Sequence, residues 1–197
     1  MSLKQSLMDL AVLTLRDPQA AARHIISFGF DRNTLWSGLA LVAVANTFIF
    51  TIQLRVAGDT AEIPQLFLNP LAFFVILSGV LVLSVHAFYW TGLAIGGKGD
   101  LGDLLVLMVW LQALRAAAQI VLLVLLPLSP LLGLAFSVLV GFLGLWILIN
   151  FIATALQLSS MLQGVVVLVL AAIGMVIGLL ILAMVVGLTA MGVPTNV

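Results

Sequence analysis

The sequence predicts an all-α membrane protein: a polytopic helical bundle of five transmembrane helices preceded by interfacial amphipathic helices. The first observation is composition, since 64% of the 197 residues are hydrophobic and 7% are charged, whereas soluble domains have about 25% charged residues. The second is the length of the apolar runs, because a hydrocarbon core about 30 Å thick requires about 20 apolar residues in a helix. The third is the short connections, which make consecutive spans antiparallel neighbours.

Residues 1–34 are too polar and too interrupted to cross a membrane, and they predict two cytoplasmic or interfacial amphipathic helices separated at Asp17-Pro18. Apolar or weakly polar residues recur on one side of each helix: Leu3, Leu7, Leu10 and Thr14 in the first, and Ala21, Ile25 and Phe28 in the second. Helices of this type lie at the level of the lipid headgroups. The spacing therefore predicts a membrane-surface segment ahead of the bundle.

Residues 35–197 contain five apolar runs that predict the spans, at approximately 35–54, 70–95, 104–126, 131–156 and 165–192. The connection at 55–69 is the longest one. The glycine-rich turn at 96–99 is followed by Asp100 and Asp103, which we expect to cap the third span and to lie in its first turn. Pro127 and Pro130 mark the third turn.

The distribution of basic residues predicts the orientation, since lysine and arginine near span ends resist translocation. Five basic residues fall on the side of the N-terminus and one falls on the other side: Lys4, Arg16, Arg23, Arg32 and Lys98 against Arg55. We therefore expect the N-terminus in the cytoplasm and, after five spans, the C-terminus on the outer face of a bacterial cytoplasmic membrane.

Arg115 is the one charged residue inside an apolar run, and it predicts a polar site within the bundle. Gln112 and Gln119 lie on the same face of the third span, and Asn150 and Thr154 form a polar stripe on the fourth. Because polar groups turned toward lipid lack partners, we expect the two stripes to face each other or the bundle centre. No carboxylate occurs in any run to neutralise Arg115.

Three roles remain open for this polar group. Arg115 can be a structural lock between helices, a site for a lipid headgroup or another anion, or part of a protein interface. Asn46 and Gln53, seven residues apart on the first span, are typical of polar contacts between helices.

Small residues on the last span form a second candidate interface. Gly174 and Gly178 have the spacing that permits close helix approach, within the chain or between two chains. Gly92 and Gly96 form a similar pair. The predicted partners are membrane lipids together with a membrane-protein partner or a second copy of the chain.

Catalytic, metal and cofactor sites are not predicted. The chain has no cysteine, and His24 and His86 lie in separate elements without metal-ligand spacing. Ser84 and His86, two residues apart, face different directions on a helix. Seven basic residues balance seven acidic ones, so no positive field favours nucleic acid.

Three segments resemble the Yip-domain (Ypt/Rab-interacting) membrane proteins in their short bacterial form. These are the leader Leu-Arg-Asp-Pro at 15–18 with the segment 20–26, the turn Gly-Gly-Lys-Gly at 96–99, and the span end Trp-Ile-Leu-Ile-Asn at 146–150. The resemblance implies five spans, a cytosolic N-terminus and no enzymatic activity. It also implies association with GTPases in the eukaryotic relatives, whose long N-terminal domain this sequence lacks.

The residues and the resemblance together favour a non-enzymatic integral membrane scaffold or adaptor that binds membrane-protein partners or organises lipid. A small transporter or channel that uses the polar stripe around Arg115 is the alternative.

Overall fold

The computed structural model describes residues 3–58 and 63–191, and every regular element in these two segments is a helix. The helices are α1 (Leu3–Arg16), α2 (Pro18–Ile26), α3 (Arg32–Ala57), α4 (Gln65–Leu68), α5 (Pro70–Ala94), α6 (Leu101–Leu128), α7 (Pro130–Ala155) and α8 (Met161–Met191). Five of the described helices, α3 and α5 to α8, are long and apolar enough to cross a membrane. The predicted fold class is confirmed. Gly192, the predicted end of the fifth span, lies outside the described residues.

Polar side chains fix where four of these helices begin. The carboxylate of Asp17 accepts the N–H of Ala20 at 2.9 Å, and Asp31, Asn69 and Ser129 cap the first turns of α3, α5 and α7 in the same way. Proline follows three of these caps at the first helical position, where its missing N–H costs nothing. Asp100 occupies the predicted capping position of α6, but its side chain makes no hydrogen bond to the helix.

The five long helices pack as a ring. Going round it, α3 contacts α6, α6 contacts α7, α7 contacts α8, α8 contacts α5, and α5 returns to α3. The end of the ring that carries α2, the turn at 96–99 and the turn between α7 and α8 is called the proximal end here. The end that carries α4 and Ser129 is the distal end. Helices α3 and α6 both run from the proximal to the distal end.

Helices α1 and α2 pack against the proximal end. Helix α2 lies on α6 and α7, and α1 lies mainly on α2. Ala21 and Ile25 are buried, as the predicted stripe on α2 requires, and Ala22 is buried beside them. The extension of that stripe to Phe28 is wrong, because α2 ends at Ile26 and Phe28 is half exposed in the following turn.

The densest packing is in the proximal half of the ring. The large side chains that are almost completely buried include Leu104, Leu107, Phe151 and Leu156. The turn at 96–99 lies against the end of α7, where the N–H of Lys98 donates to the carbonyl of Leu156 at 3.0 Å. A Cβ on Gly99 would overlap the backbone of Ala155. Glycine is therefore required at this approach.

Candidate functional site

Arg115 lies at the middle of α6, about 20 Å from either end of the helix. Its side chain is exposed, and it makes no hydrogen bond or ion pair with any residue in the described segments. The neighbouring Gln112 is buried, with 7% of its surface exposed, and Gln119 is half-buried. The three residues of the predicted stripe are thus in different surroundings, and only the charged one faces outward from the packed atoms.

Two amides of α3 join α3 to α6 beside this arginine. The Nδ2 of Asn46 donates to the backbone oxygen of Gln112, and the Nε2 of Gln53 donates to the backbone oxygen of Gln119, each at 3.4 Å. The donors are seven residues apart and so are the acceptors, because the two helices run in the same direction with matching heptad spacing. The interpretation of Asn46 and Gln53 as contacts between helices is confirmed.

The side-chain oxygens at this interface are incompletely paired. The Oε1 atoms of Gln112 and Gln119 and the Oγ1 of Thr47 are buried without a hydrogen-bond partner. Arg115 lies three and four residues from the two glutamines, yet its guanidinium does not reach either oxygen. The arginine is therefore not part of the internal lock that the amides of α3 form.

The polar stripe of α7 lies at a different depth from Arg115. Measured from the shared turn at Ser129, Asn150 is about 10 Å and Thr154 about 16 Å further along than Arg115. Asn150 is buried, with 3% of its surface exposed, and its Nδ2 donates to the carbonyl of Trp146 at 2.8 Å. An antiparallel hairpin pairs residues at equal distances from its turn, so Arg115 and Asn150 do not face each other. Gln112 and Asn150 are both buried, and the alternative expectation, that the stripes face the bundle centre, stays a prediction.

Thr154 instead lines a cavity of about 370 Å³ at the proximal end, between α2, α7 and the start of α8. Its polar lining residues are Gln19, Arg23, Thr154, Gln157, Ser159 and Ser160. Arg23 is exposed and makes no hydrogen bond or ion pair with any other described residue. The cavity thus combines one unpaired cation with several hydrogen-bonding side chains.

Gln157 begins the turn over this cavity with a φ of 51°, in the left-handed region. The turn has the hydrogen bonds of a helix C-cap, since the N–H of Leu158 donates to the carbonyl of Ala153 at 2.9 Å. Glycine is the usual residue at this position, because a Cβ makes the left-handed conformation less favourable. This chain therefore keeps a long polar side chain at a position where glycine is conformationally better.

The histidine and serines of α5 do not form a catalytic pair. The Nδ1 of His86 lies 2.8 Å from the carbonyl of Val82, and its ring stacks on Trp36. The hydroxyl of Ser84 donates to the carbonyl of Val80 at 2.7 Å, while the Oγ of Ser78 is buried and unpaired. No group of three or more metal-ligating side chains converges within the described residues.

Comparison with models of known protein families shows which family the chain belongs to. The Yip1 domain model matches residues 12–183, from within α1 to within α8. The chain belongs to the Yip1 domain family. Comparison with curated proteins and with solved structures gave no match.

Within the described residues of this Yip1-domain chain, no helix packs closely against Gly174 or Gly178. Both glycines are exposed, and a Cβ on either would meet nothing within 4 Å. Contact between two chains at this pair stays a prediction. The glycines that do permit close approach are elsewhere, and Gly92 is one of them, against Leu156.

The proximal cavity is the feature that sequence reasoning missed. Gln19 and Arg23 are four residues apart and thus share a face of α2, and Ser160 with Gln163 has the spacing of a capping box. The cap is formed, since the N–H of Gln163 donates to the Oγ of Ser160 at 3.3 Å. Both signals can be read from the sequence, but the meeting of α2 with the α7–α8 turn cannot.

Proposed function

We propose that this Yip1-domain protein is a non-enzymatic membrane adaptor that binds a partner membrane protein through Arg115. The observation that carries the proposal is an exposed arginine at the middle of a span with no partner in the described part of the chain. Insertion scales give a cost of about 2.5–3.5 kcal/mol for an arginine at this depth. A group this costly requires a compensating contact.

That contact comes from outside the chain. No aspartate or glutamate follows Asp103 in the sequence, and none lies within the earlier spans. A second copy of the chain therefore supplies no carboxylate at the depth of Arg115. Snorkelling to a lipid phosphate serves residues near helix ends, whereas Arg115 is about 20 Å from both ends of α6. We propose a partner helix that carries an aspartate or glutamate near mid-membrane.

Transport through the bundle has less support. A polar path from Arg115 to the proximal side has to pass side chains that are almost completely buried and apolar, including Leu104, Leu107 and Phe151. Neither the proximal cavity nor the cavity beside Arg55 at the distal end is lined by residues from the middle of the spans. The geometry therefore favours a docking surface over a conduit.

The proposed orientation places the proximal end in the cytoplasm of a bacterial cell and the C-terminus on the outer face of the cytoplasmic membrane. Arg16, Arg23, Arg32 and Lys98 lie toward the proximal end, and Arg55 is near the distal end of α3. A reporter fused after residue 197 tests this orientation, and activity of a cytoplasmic reporter at that point contradicts it.

Site-specific photo-crosslinking tests the adaptor proposal. A photoreactive residue at Ala118, one turn from Arg115, is expected to capture a membrane protein whose crosslinked peptide contains a carboxylate within an apolar segment. The adduct is expected to disappear in Arg115→Leu and to persist in Arg115→Lys.

Exchanging the charges of Arg115 and its partner is the decisive experiment. Arg115→Glu abolishes the adduct, and changing the partner's carboxylate to lysine restores it. An adduct of equal yield in wild type and Arg115→Leu, or no adduct at all, contradicts the proposal.

A further inference from the structure

We infer that the proximal cavity binds a phosphate group, carried by an anionic phospholipid or by a free phosphate ion. The inference is independent of the partner proposed for Arg115, because the cavity is lined by α2, α7 and the start of α8, whereas Arg115 lies at the middle of α6. It rests on the cation, the donors, the depth and the strained turn that meet at this cavity.

The cation is Arg23, which α2 holds in place. Ala22 is completely buried and Ile25 is 3% exposed, so the backbone around Arg23 is fixed against the bundle. The guanidinium projects from this fixed helix without a protein partner. Its planar set of N–H donors matches two oxygens of a phosphate group. No acidic side chain lines the cavity to compete for it.

The donors come from the opposite wall. Thr154 supplies a hydroxyl and Gln157 an amide, and neither side chain is hydrogen-bonded to another described residue. The Oγ of Ser160 accepts the N–H of Gln163, so its own hydrogen remains available for donation. These groups face a single cavity of about 370 Å³ together with Arg23. A tetrahedral anion is the ligand whose several oxygens can use all of them.

The depth suits a lipid headgroup. The cavity lies where α7 ends and α8 begins, and the polar region of a bilayer surrounds the ends of its spans. An anionic phospholipid in the leaflet at the proximal end therefore presents its phosphate at the level of Arg23. A soluble phosphate reaches the same group from the adjoining aqueous side.

Gln157 gives the most discriminating variant. Its left-handed backbone is better suited to glycine, so Gln157→Gly is expected to fold and to unfold at a higher temperature. The same change removes an amide from the cavity wall. If Gln157 serves only the fold, the Gln157→Gly protein is more stable and binds phosphate as the wild type does. If Gln157 binds the ligand, the variant is more stable but binds phosphate more weakly.

The experiment uses the full chain in nanodiscs of phosphatidylcholine, with and without phosphatidic acid, and separately with radioactive inorganic phosphate. Retained phosphatidic acid is counted by native mass spectrometry, and free phosphate is measured by equilibrium dialysis. We expect Arg23→Gln to weaken binding about tenfold, the size of one lost charged hydrogen bond. Arg16→Gln is the matched control, because Arg16 is an exposed cation that does not line the cavity. It is expected to bind as the wild type does.

Each result decides the inference. Retention of phosphatidic acid without binding of free phosphate supports a lipid headgroup site, and binding of both supports a general phosphate site. Equal losses in Arg23→Gln and Arg16→Gln indicate nonspecific attraction and overturn the inference, as does the absence of binding to either probe. If Arg23→Gln fails to fold, Gln157→Gly decides, since undiminished binding by that variant also overturns it.

Discussion

The proximal and distal halves of the bundle are built in opposite ways. In the proximal half, helices and turns approach so closely that a Cβ on Gly97, Gly99 or Gly164 would collide with a backbone oxygen of another element or turn. In the distal half, Gly79, Gly141 and Gly178 have open space around them, and large apolar side chains such as Leu131 and Phe142 are more than two-thirds exposed. Gly133, beside Leu126 at the α6–α7 turn, is a distal exception, and Gly96, which has open space around it, is a proximal one.

The difference shows where this sequence specifies its own fold and where it leaves surface for other molecules. Lipid is as apolar as leucine, so burial of apolar area does not by itself drive helices together in a membrane. Close backbone approach and hydrogen bonds do so, and the close approaches are concentrated at the proximal end. The distal half exposes apolar surface to lipid. At the border between the two halves lies Arg115, the proposed contact for a partner protein.

The largest expected effect comes from filling one of the close approaches. Gly99→Ala places a methyl group on the backbone of Ala155 and is expected to destabilise the chain by about 3 kcal/mol, the upper part of the overpacking range. Gly178→Ala is the matched change in the distal half, and it is expected to leave stability unchanged or slightly increased. Unfolding in detergent or bicelles measures both. Similar effects of the two changes contradict the division into halves.

The contact that holds α1 onto the proximal half comes next. Thr14 is completely buried, accepts the indole N–H of Trp110 at 3.0 Å and donates to the carbonyl of Leu10 at 2.8 Å. Thr14→Val leaves the indole N–H without a partner and is expected to cost about 1–3 kcal/mol. Hydrogen exchange of α1 is expected to increase in Thr14→Val and to remain low in Thr14→Ser. Unchanged protection in the valine variant shows that α1 is held by other contacts.

The amides between α3 and α6 test how the effect of one contact changes with burial. Asn46 is 5% exposed and donates to two carbonyls, whereas Gln53 is half-buried and donates to one. Polar contacts between membrane helices contribute about 0.6 kcal/mol on average. Asn46→Leu is therefore expected to cost about 1 kcal/mol, and Gln53→Leu about half of that. A larger cost at Gln53, measured by the same unfolding method, reverses the order that burial predicts.

The smallest effect is a pH dependence at the start of α3. The hydroxyl of Thr34 and the first backbone N–H groups of the helix donate to Asp31, and they hold the pKa of this carboxyl below its ordinary value of 3.8. A lowered pKa in the folded state gives stability that is present above the ordinary value and is lost as the pH falls through the folded value. Asp31→Asn is expected to remove this contribution from the pH profile. If the free energy of unfolding of Asp31→Asn falls at low pH as it does in the wild type, Asp31 is not the source of this pH dependence.

The sequence was sufficient for the features that depend on local chemistry. The apolar runs predicted five spans because lipid thickness sets their length, and Pro18 and Pro130 predicted where α2 and α7 begin. The spacing of Asn46 and Gln53 predicted contacts between helices, although not that α6 is the partner. Phe28 was misplaced because periodicity alone does not show that α2 ends at Ile26.

The rest depends on distances between elements that are far apart in the chain. The polarity of Arg115 and Asn150 favoured placing them at one site. The position of the turn at Ser129 instead separates their depths by about 10 Å. The small-residue pair at Gly174 was read as a packing site, but such a pattern does not show whether any helix lies beside it. The proximal cavity requires α2 to meet the turn after α7, a contact between residues more than a hundred positions apart.

The free energy of unfolding of Arg115→Leu in nanodiscs of uncharged lipid, without any partner protein, tests the central claim most directly. If the partner of Arg115 is external, the isolated wild-type chain retains an uncompensated charge, and Arg115→Leu is expected to be more stable by about 2–3 kcal/mol, with Arg115→Lys close to wild type. A leucine variant less stable than the wild type shows that Arg115 is paired within its own chain and contradicts the claim.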